Sequence, residues 1–395
     1  MSRLLLFADR TVRAGGVAAV AALTLTACGG SSSDAAGTAP TNANSRTATV
    51  TITSADGCQV SATTFPAGAL TFDISNKDAT AVSEVELDSG DRIVGEKENL
   101  PPGFSGTFSV DVDGGTYSLY CPGAKVENIP ITVTGHTTAA SGDSVEALLK
   151  TGTDDYAKYV TTQAGYLVSS VKVLRSGIAG GNLAAAQAAY DKARPFYEKI
   201  EPVAESFTVG KNNLDADIDA RANDVPAADW KGFHPIEKGL FQDKSTKGLS
   251  SLAAGLVGNV EKLQKLTNGL TYQPYELANG AQELLDEVAA SKITGEEERY
   301  SHIDLLDIQA NVEGAEQAFA DLQPALTKID ASLTKTIAAY FTSLDNLLNT
   351  YRTGSNPSGF EYYSALSQAD KRQLAAAVKA VQEPLSQVAS KVAKV

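Results

Sequence analysis

The chain has 395 residues, 43% of them hydrophobic, and its 33 basic and 47 acidic side chains leave a net charge of −14. That length exceeds one core of ordinary size, so two or more domains are expected. A surface this acidic repels nucleic acid and gathers cations, which leaves nucleic-acid partners out and cationic ones in.

Residues 1–27 read as an export leader. Arg3, Arg10 and Arg13 bracket or precede the apolar run "AGGVAAVAALTLTA", which is too short and too small-residued for a membrane span of roughly 20 residues. The run closes on "LTAC", where Leu25, Ala27 and Cys28 resemble the lipobox of bacterial lipoproteins. A lipid on Cys28 would hold the protein on the outer face of the cytoplasmic membrane; ordinary secretory cleavage after Ala27 is the alternative. Either places the mature chain outside the cytoplasm. Residues 28–46 follow with "GGSSSDAAGTAPTNANS", a composition without enough apolar surface to fold, and so a flexible tether.

Residues 47–136 carry the signals of a small all-β domain. Alternating stretches such as "TATVTIT", "LTFDISN", "GTFSVDV", "GTYSLYC" and "IPITVTG" are separated by Gly, Pro, Asn and Asp turns, the pattern of a sandwich. A blue-copper site needs two His, a Cys and usually an axial Met. The single Met is the initiator and His136 lies at the far edge of this part, so blue copper is excluded. Cys58 and Cys121 remain in an oxidising compartment. They read either as a disulfide or as a thiolate metal site that uses Cys121 with Glu84 or Glu86.

From Ser144 the composition shifts to Ala, Leu, Lys, Glu and Gln, with apolar residues at helical spacing, as in "YVTTQAGYLVSSVKVL" and "LSSLAAGLVGNVEKLQKL". Residues 144–395 therefore form an all-α bundle of about seven or more helices. Within it, "GFHPIEKGLF" sets His234 three residues before Glu237. At that spacing on a helix both side chains share a face, and Pro235 fits a first turn. An unpaired H-x-x-E is by itself a weak signal that chance often supplies, and a plain helix start is the commoner reading. Three acidic stretches surround it in sequence. "RPFYEKIEPVAE" puts Glu198, Glu201 and Glu205 on nearly one stripe, with Pro195 and Pro202 as kink points. "NLDADIDARANDV" reads as a loop carrying Asp215, Asp217, Asp219 and Asp224. "TGEEERYSHIDLLD" supplies Glu296, Glu297, Glu298 and His302, and "TGEE" reads as a helix start.

The stretches "YEKIEPVAE", "DIDAR", "GFHPIEKGLF", "STKGL" and "LLDEVAASKITGEEERYSHIDLLDIQANVEGA" are similar to the EfeO-type iron uptake components, members of the imelysin-like, insulin-cleaving-peptidase-like superfamily. "GEKENLPPGF" extends the likeness into the β-part, so that it runs from about residue 47 to the C-terminus. The resemblance implies a two-domain chain: an N-terminal all-β cupredoxin-like sandwich without blue copper, then an all-α imelysin-like bundle. It implies metal ligation by His234 and Glu237, and more loosely by Glu198, Asp215 and Glu297. It also implies iron, ferrous or ferric, as the cargo, and a membrane permease and a haem-peroxidase-like component as partners. One imidazole among carboxylates is an oxygen-rich donor set that suits iron or manganese better than copper(I). The rival reading is a metallopeptidase, with His234, Glu237 and His302 imitating a zinc set, although the chain has no H-E-x-x-H and a crowd of carboxylates exceeds what an open catalytic zinc requires. No aromatic stripe or haem-ligand motif points to a polysaccharide or haem binder, and Trp230 reads as a packing residue.

Overall fold

Thr47–Thr53 (β1) buries Ala48, Val50 and Ile52 and turns the residues between them outward, as a strand with one face on a core must. The further strands are Gly57–Val60 (β2), Thr64–Pro66 (β3), Gly68–Asn76 (β4), Val85–Ser89 (β5), Arg92–Lys97 (β6), Ser105–Val112 (β7), Gly115–Tyr120 (β8) and Asn128–Thr134 (β9), of which β4 and β9 show the same alternation. They form two sheets, ordered β2-β1-β4-β7 and β3-β9-β8-β5-β6, with β1 parallel to β4 and β3 parallel to β9. Phe72 on β4 stacks on Phe108 of β7 at 4.9 Å between centroids, and Phe65 of the other sheet meets Phe72 edge-on at 6.4 Å. These rings sit in the core between the sheets. Cys58 on β2 is bonded to Cys121 just after β8 across a separation of 63 residues, which restrains the unfolded chain by about 4 kcal/mol in chain-entropy terms. With both sulfurs so engaged, Cys121 offers no thiolate.

The computed structural model describes residues 46–395 apart from 83, 91, 98–99, 137–143, 210–211 and 223. The leader, Cys28 and nearly all of the tether lie outside the described residues. No described helix is long and apolar enough to cross a membrane.

Past residue 144 the period changes from two to 3.6. Val145–Ala179 (α1) buries Tyr156, Val160, Ala164, Leu167, Val171, Leu174 and Ile178 along one stripe, and the Ser144 side chain accepts from the Ala147 N–H at its start. Next come Leu183–Glu198 (α2) and Glu201–Glu205 (α3). A short ladder of Thr208–Val209 (β10) and Asn212–Asn213 (β11) leads to Asp215–Ile218 (α4) and Phe233–Glu237 (α5). Ser250–Thr267 (α6), Pro274–Ala290 (α7), Asp304–Ile329 (α8), Ala331–Asn349 (α9), Gln368–Leu385 (α10) and Val388–Val392 (α11) complete the bundle. Helix α8 is sunk on nearly all sides in its first three turns. Leu305, Ile308 and Val312 are buried there, and so are Asp304, Asp307, Gln309 and Asn311. Carboxylates so placed must bring partners with them.

Three local expectations are corrected. Residues 295–303 form turns rather than a helix start, and α8 begins only at Asp304. Glu198 and Glu201 do not share one continuous helix, because α2 runs through Pro195 and stops at Glu198 while α3 opens at Glu201. Asp215 and Asp217 lie on a single helical turn instead of a loop.

All described residues belong to one compact unit. Strand β6 ties the sheets to the helices: Ile93 N–H donates to Ser206 O at 3.1 Å. Beside it, Arg92 Nη2 pairs with Glu276 Oε1 at 2.9 Å.

Candidate metal centre

His234 owes its position to the glycine two residues earlier. Gly232 has φ of +90°, in the left-handed region, and a Cβ there would run into the Ile218 carbonyl. Only glycine lets α5 approach α4 so closely. The approach sets Asp219, the residue after α4, against the imidazole. His234 Nε2 lies 3.4 Å from Asp219 Oδ1 and 3.5 Å from Glu297 Oε1, and all three residues are buried. The same Nε2 has no hydrogen-bond partner among the described residues. Two ligands that each stand about 2.1 Å from a common ion are roughly 3.0–3.4 Å apart, so the three atoms are spaced as donors around one ion.

Glu237 holds this arrangement from behind. Its Oε1 accepts the backbone N–H groups of Tyr300 at 2.6 Å and Ser301 at 2.7 Å. Its Oε2 faces His234 Nδ1 at 3.5 Å. The turn at 295–303 therefore has a purpose: in a helix those N–H groups would have carbonyl partners, whereas here they bind the Glu237 carboxylate. Such a carboxylate behind an imidazole fixes the ring and its tautomer. After Glu237 the helix loosens into a π-helical turn, Lys238–Gln242, a form often found at functional sites.

Two fully buried cations support the carboxylates. Arg194 on α2 bonds to Glu198 and Asp219, and its Nη2 lies 3.0 Å from both Glu297 and Asp307. Its Nε lies 2.9 Å from Glu298. Lys292 Nζ meets Glu198 Oε2 at 2.6 Å and Glu201 Oε2 at 2.7 Å. Half-buried Arg221 reaches Glu297 Oε2 at 3.1 Å with Nη1 and Asp224 with Nε. Arg221, Asp224, Trp230, His234, Glu237 and Glu297 line a cavity of about 370 Å³, the route by which an ion could arrive.

The carboxylates outnumber these cations, and protons make up the difference. Burial pushes Asp219 up to about 6 against the pull of Arg194 and His234. Asp215, which accepts from the Tyr197 hydroxyl, is pushed by burial and by Asp219 up to about 7. Burial, with Glu237 and Asp307 nearby, holds Glu298 well above the usual carboxylate range. Glu297 is the exception: burial would raise it, but Lys292, His234 and Arg194 hold it well below that range. Burial alone would depress His234, yet Asp219, Glu237 and Glu297 keep its imidazolium well above the ordinary histidine value. The metal-free site thus carries protons where a cation would sit.

Residues 152–388 match the family described as imelysin. The iron uptake system component EfeO of Escherichia coli K12 is 39% identical over 337 residues, covering 84% of this chain and 88% of that protein. The protein of the same description from Shigella flexneri matches to the same extent. The chain belongs to the imelysin family, as an EfeO-type member.

Among the residues that the sequence singled out, this imelysin bundle brings His234, Glu237 and Glu297 together. Glu198 is close by, bonded to Arg194 and Lys292, and belongs to the group with Glu297 and Asp307 rather than to the one that holds His234. Asp215 is on the far side of Asp219, in a second group with Glu201. His302 belongs to none of the carboxylate and imidazole groups found among the described residues; it occupies a left-handed turn at φ 62°. Glu84 and Glu86 line a second cavity, between the sheets and the helices, which shares Arg221 and Asp224 with the first. Sequence reasoning missed Arg194, Lys292 and Asp307, and it named Asp219 only as one acidic residue of four. The available signal was in α8, where Asp307 and Asn311 lie four apart on one face among Leu305, Ile308 and Val312.

Proposed function

We propose that the protein is an extracytoplasmic iron-binding lipoprotein that collects iron at His234, Asp219 and Glu297, and passes it to a membrane permease of the same uptake system. The buried Nε2 of His234, 3.4 and 3.5 Å from one oxygen each of Asp219 and Glu297 and without a hydrogen bond to either, carries this reading. The similarity to proteins described as iron uptake system components supports it. Nitrogen plus carboxylate oxygen suits iron or manganese. Glu237 positions the imidazole, and Glu198 belongs to the charge network behind the site rather than to the ligand set. Binding is the expected activity, not hydrolysis: His302 does not join His234 in any group among the described residues, and the sequence has no H-E-x-x-H. The N-terminal sheets are read as a cupredoxin-like sandwich whose disulfide replaces any thiolate site.

A cation can coordinate His234 and Asp219 only after displacing their protons. His234 is held above its ordinary value and Asp219 at about 6, so protons compete through neutrality. Anaerobic ferrous titrations at pH 6, 7 and 8 should show affinity rising by about tenfold per pH unit for each proton displaced, with proton release in weakly buffered solution. A pH-independent affinity would count against this ligand set.

The anchor is proposed at Cys28. Cys28→Ala removes the thiol that would carry the lipid and should move the protein from the membrane fraction into the soluble one. Continued sedimentation with membranes would refute lipidation as the anchor.

A further inference from the structure

Beside the His234 position lies another group whose donors are all oxygen: Glu201, Asp215 and Asp219, with one carboxylate oxygen of each within 4.8 Å of the others. We infer that it is a second cation position, bridged to the first by the shared Asp219 carboxylate, so that two ions sit side by side. The inference rests on the reading of His234 as the first position.

The partners of each carboxylate leave the required oxygens over. On Glu201, Oε2 is taken by Lys292 at 2.7 Å and Asn311 at 3.4 Å. On Asp215, Oδ1 accepts from the Tyr197 hydroxyl, and no ion pair reaches this side chain among the described residues. On Asp219, Oδ1 binds Arg194 and faces His234. The remaining Oδ2 is buried and has no hydrogen-bond partner, a costly state for a carboxylate oxygen unless a cation completes it. In the third group, Glu198, Glu297 and Asp307, the Arg194 guanidinium bonds to all three carboxylates, whereas in the second it reaches Asp219 alone. Asp215 also lines a cavity of about 670 Å³ whose walls include Glu84, Glu86, Asp88, Glu205 and Asp224. The second position thus opens toward the sheets, whereas His234 and Glu297 open on the other cavity. Oxygen donors alone select a harder ion than the imidazole-containing position does, such as ferric iron, or manganese(II) as a probe.

Metal-free mature protein saturated with manganese(II) tests this by ion counting and electron paramagnetic resonance. The unsubstituted protein should give the spectrum of a spin-coupled pair. Asp215→Asn and Glu201→Gln should each bind one ion fewer and give uncoupled manganese, as should His234→Ala. Circular dichroism checks that each variant is folded. An uncoupled spectrum from the saturated unsubstituted protein overturns the bridged pair without recourse to any variant. If Asp215→Asn and Glu201→Gln retain the full count while His234→Ala loses one ion, the second position is refuted and the first stands. If His234→Ala retains the full count, the first position is refuted, and the bridged pair with it.

Discussion

His234→Ala is expected to bind iron far more weakly than the unsubstituted protein while remaining folded. The substitution deletes the one nitrogen donor and leaves Asp219 and Glu297 facing each other, with Arg194 still between them and the other carboxylates. Loss of an outer residue that orients a ligand typically costs about 10–100-fold in metal affinity, and loss of the ligand itself should cost more. Glu237→Gln should fall within that smaller range, because its amide oxygen can still accept from Tyr300 and Ser301 while its charge behind the imidazole is gone. Anaerobic competition titration against a chelator of known affinity measures both. Equal losses in the two variants would show that Glu237 is a ligand and not a positioning group. An unchanged affinity in His234→Ala would remove the site from α5 altogether.

Arg194→Met should destabilise the metal-free protein by about 3–5 kcal/mol, the usual cost of removing one partner from a buried ion network. Methionine fills much of the same volume, so the loss is one of charge. Glu198, Asp219, Glu297, Glu298 and Asp307 would then share Lys292 and His234, with half-buried Arg221 reaching Glu297 only. Asp219, Glu298 and Asp307 already stand above the usual carboxylate range and would rise further without the guanidinium, and Glu297 would lose one of the charges that hold it down. The stability tied to such groups is fully present below the unfolded carboxylate pKa and is lost as pH rises through the folded value. The deficit should therefore widen from pH 5 to pH 8. Arg194→Lys should not restore full stability, since one ammonium cannot fork to carboxylates on several elements. Urea unfolding at the two pH values decides it, and a difference from the unsubstituted protein below about 1 kcal/mol would show that the network is not held by Arg194.

The β-then-α order was legible because periods of two and 3.6 survive in composition and spacing. His234 and Glu237 were legible as a pair because three residues on a helix return to one face. Arg194 was not. Its fourth-residue neighbour Glu198 makes "RPFYE" look like an ordinary solvated pair on a helix surface, and nothing local reveals that α2 turns this face inward. Residues 295–303 were misjudged for a related reason: Thr, Gly and Glu suit a helix cap, but the Glu237 carboxylate, 63 positions upstream of Tyr300, takes the backbone N–H groups first. Asp219 could not be singled out from its acidic neighbours because its selection depends on Gly232 admitting the Ile218 backbone, a contact made only in the fold.

The long reach of these contacts also bears on when the chain can capture an ion. Arg194 and Asp307 stand 113 positions apart, and Glu237 and Ser301 stand 64 apart. Loops of that length close late and at an entropic cost, so the donors converge only after α2, α5 and α8 have docked. A short peptide containing "GFHPIEKGLF" would carry two of the side chains and none of the counter-charges. Iron capture should accordingly vanish in the same cooperative transition that melts the helices, and a nascent or translocating chain has no assembled trap for the metal.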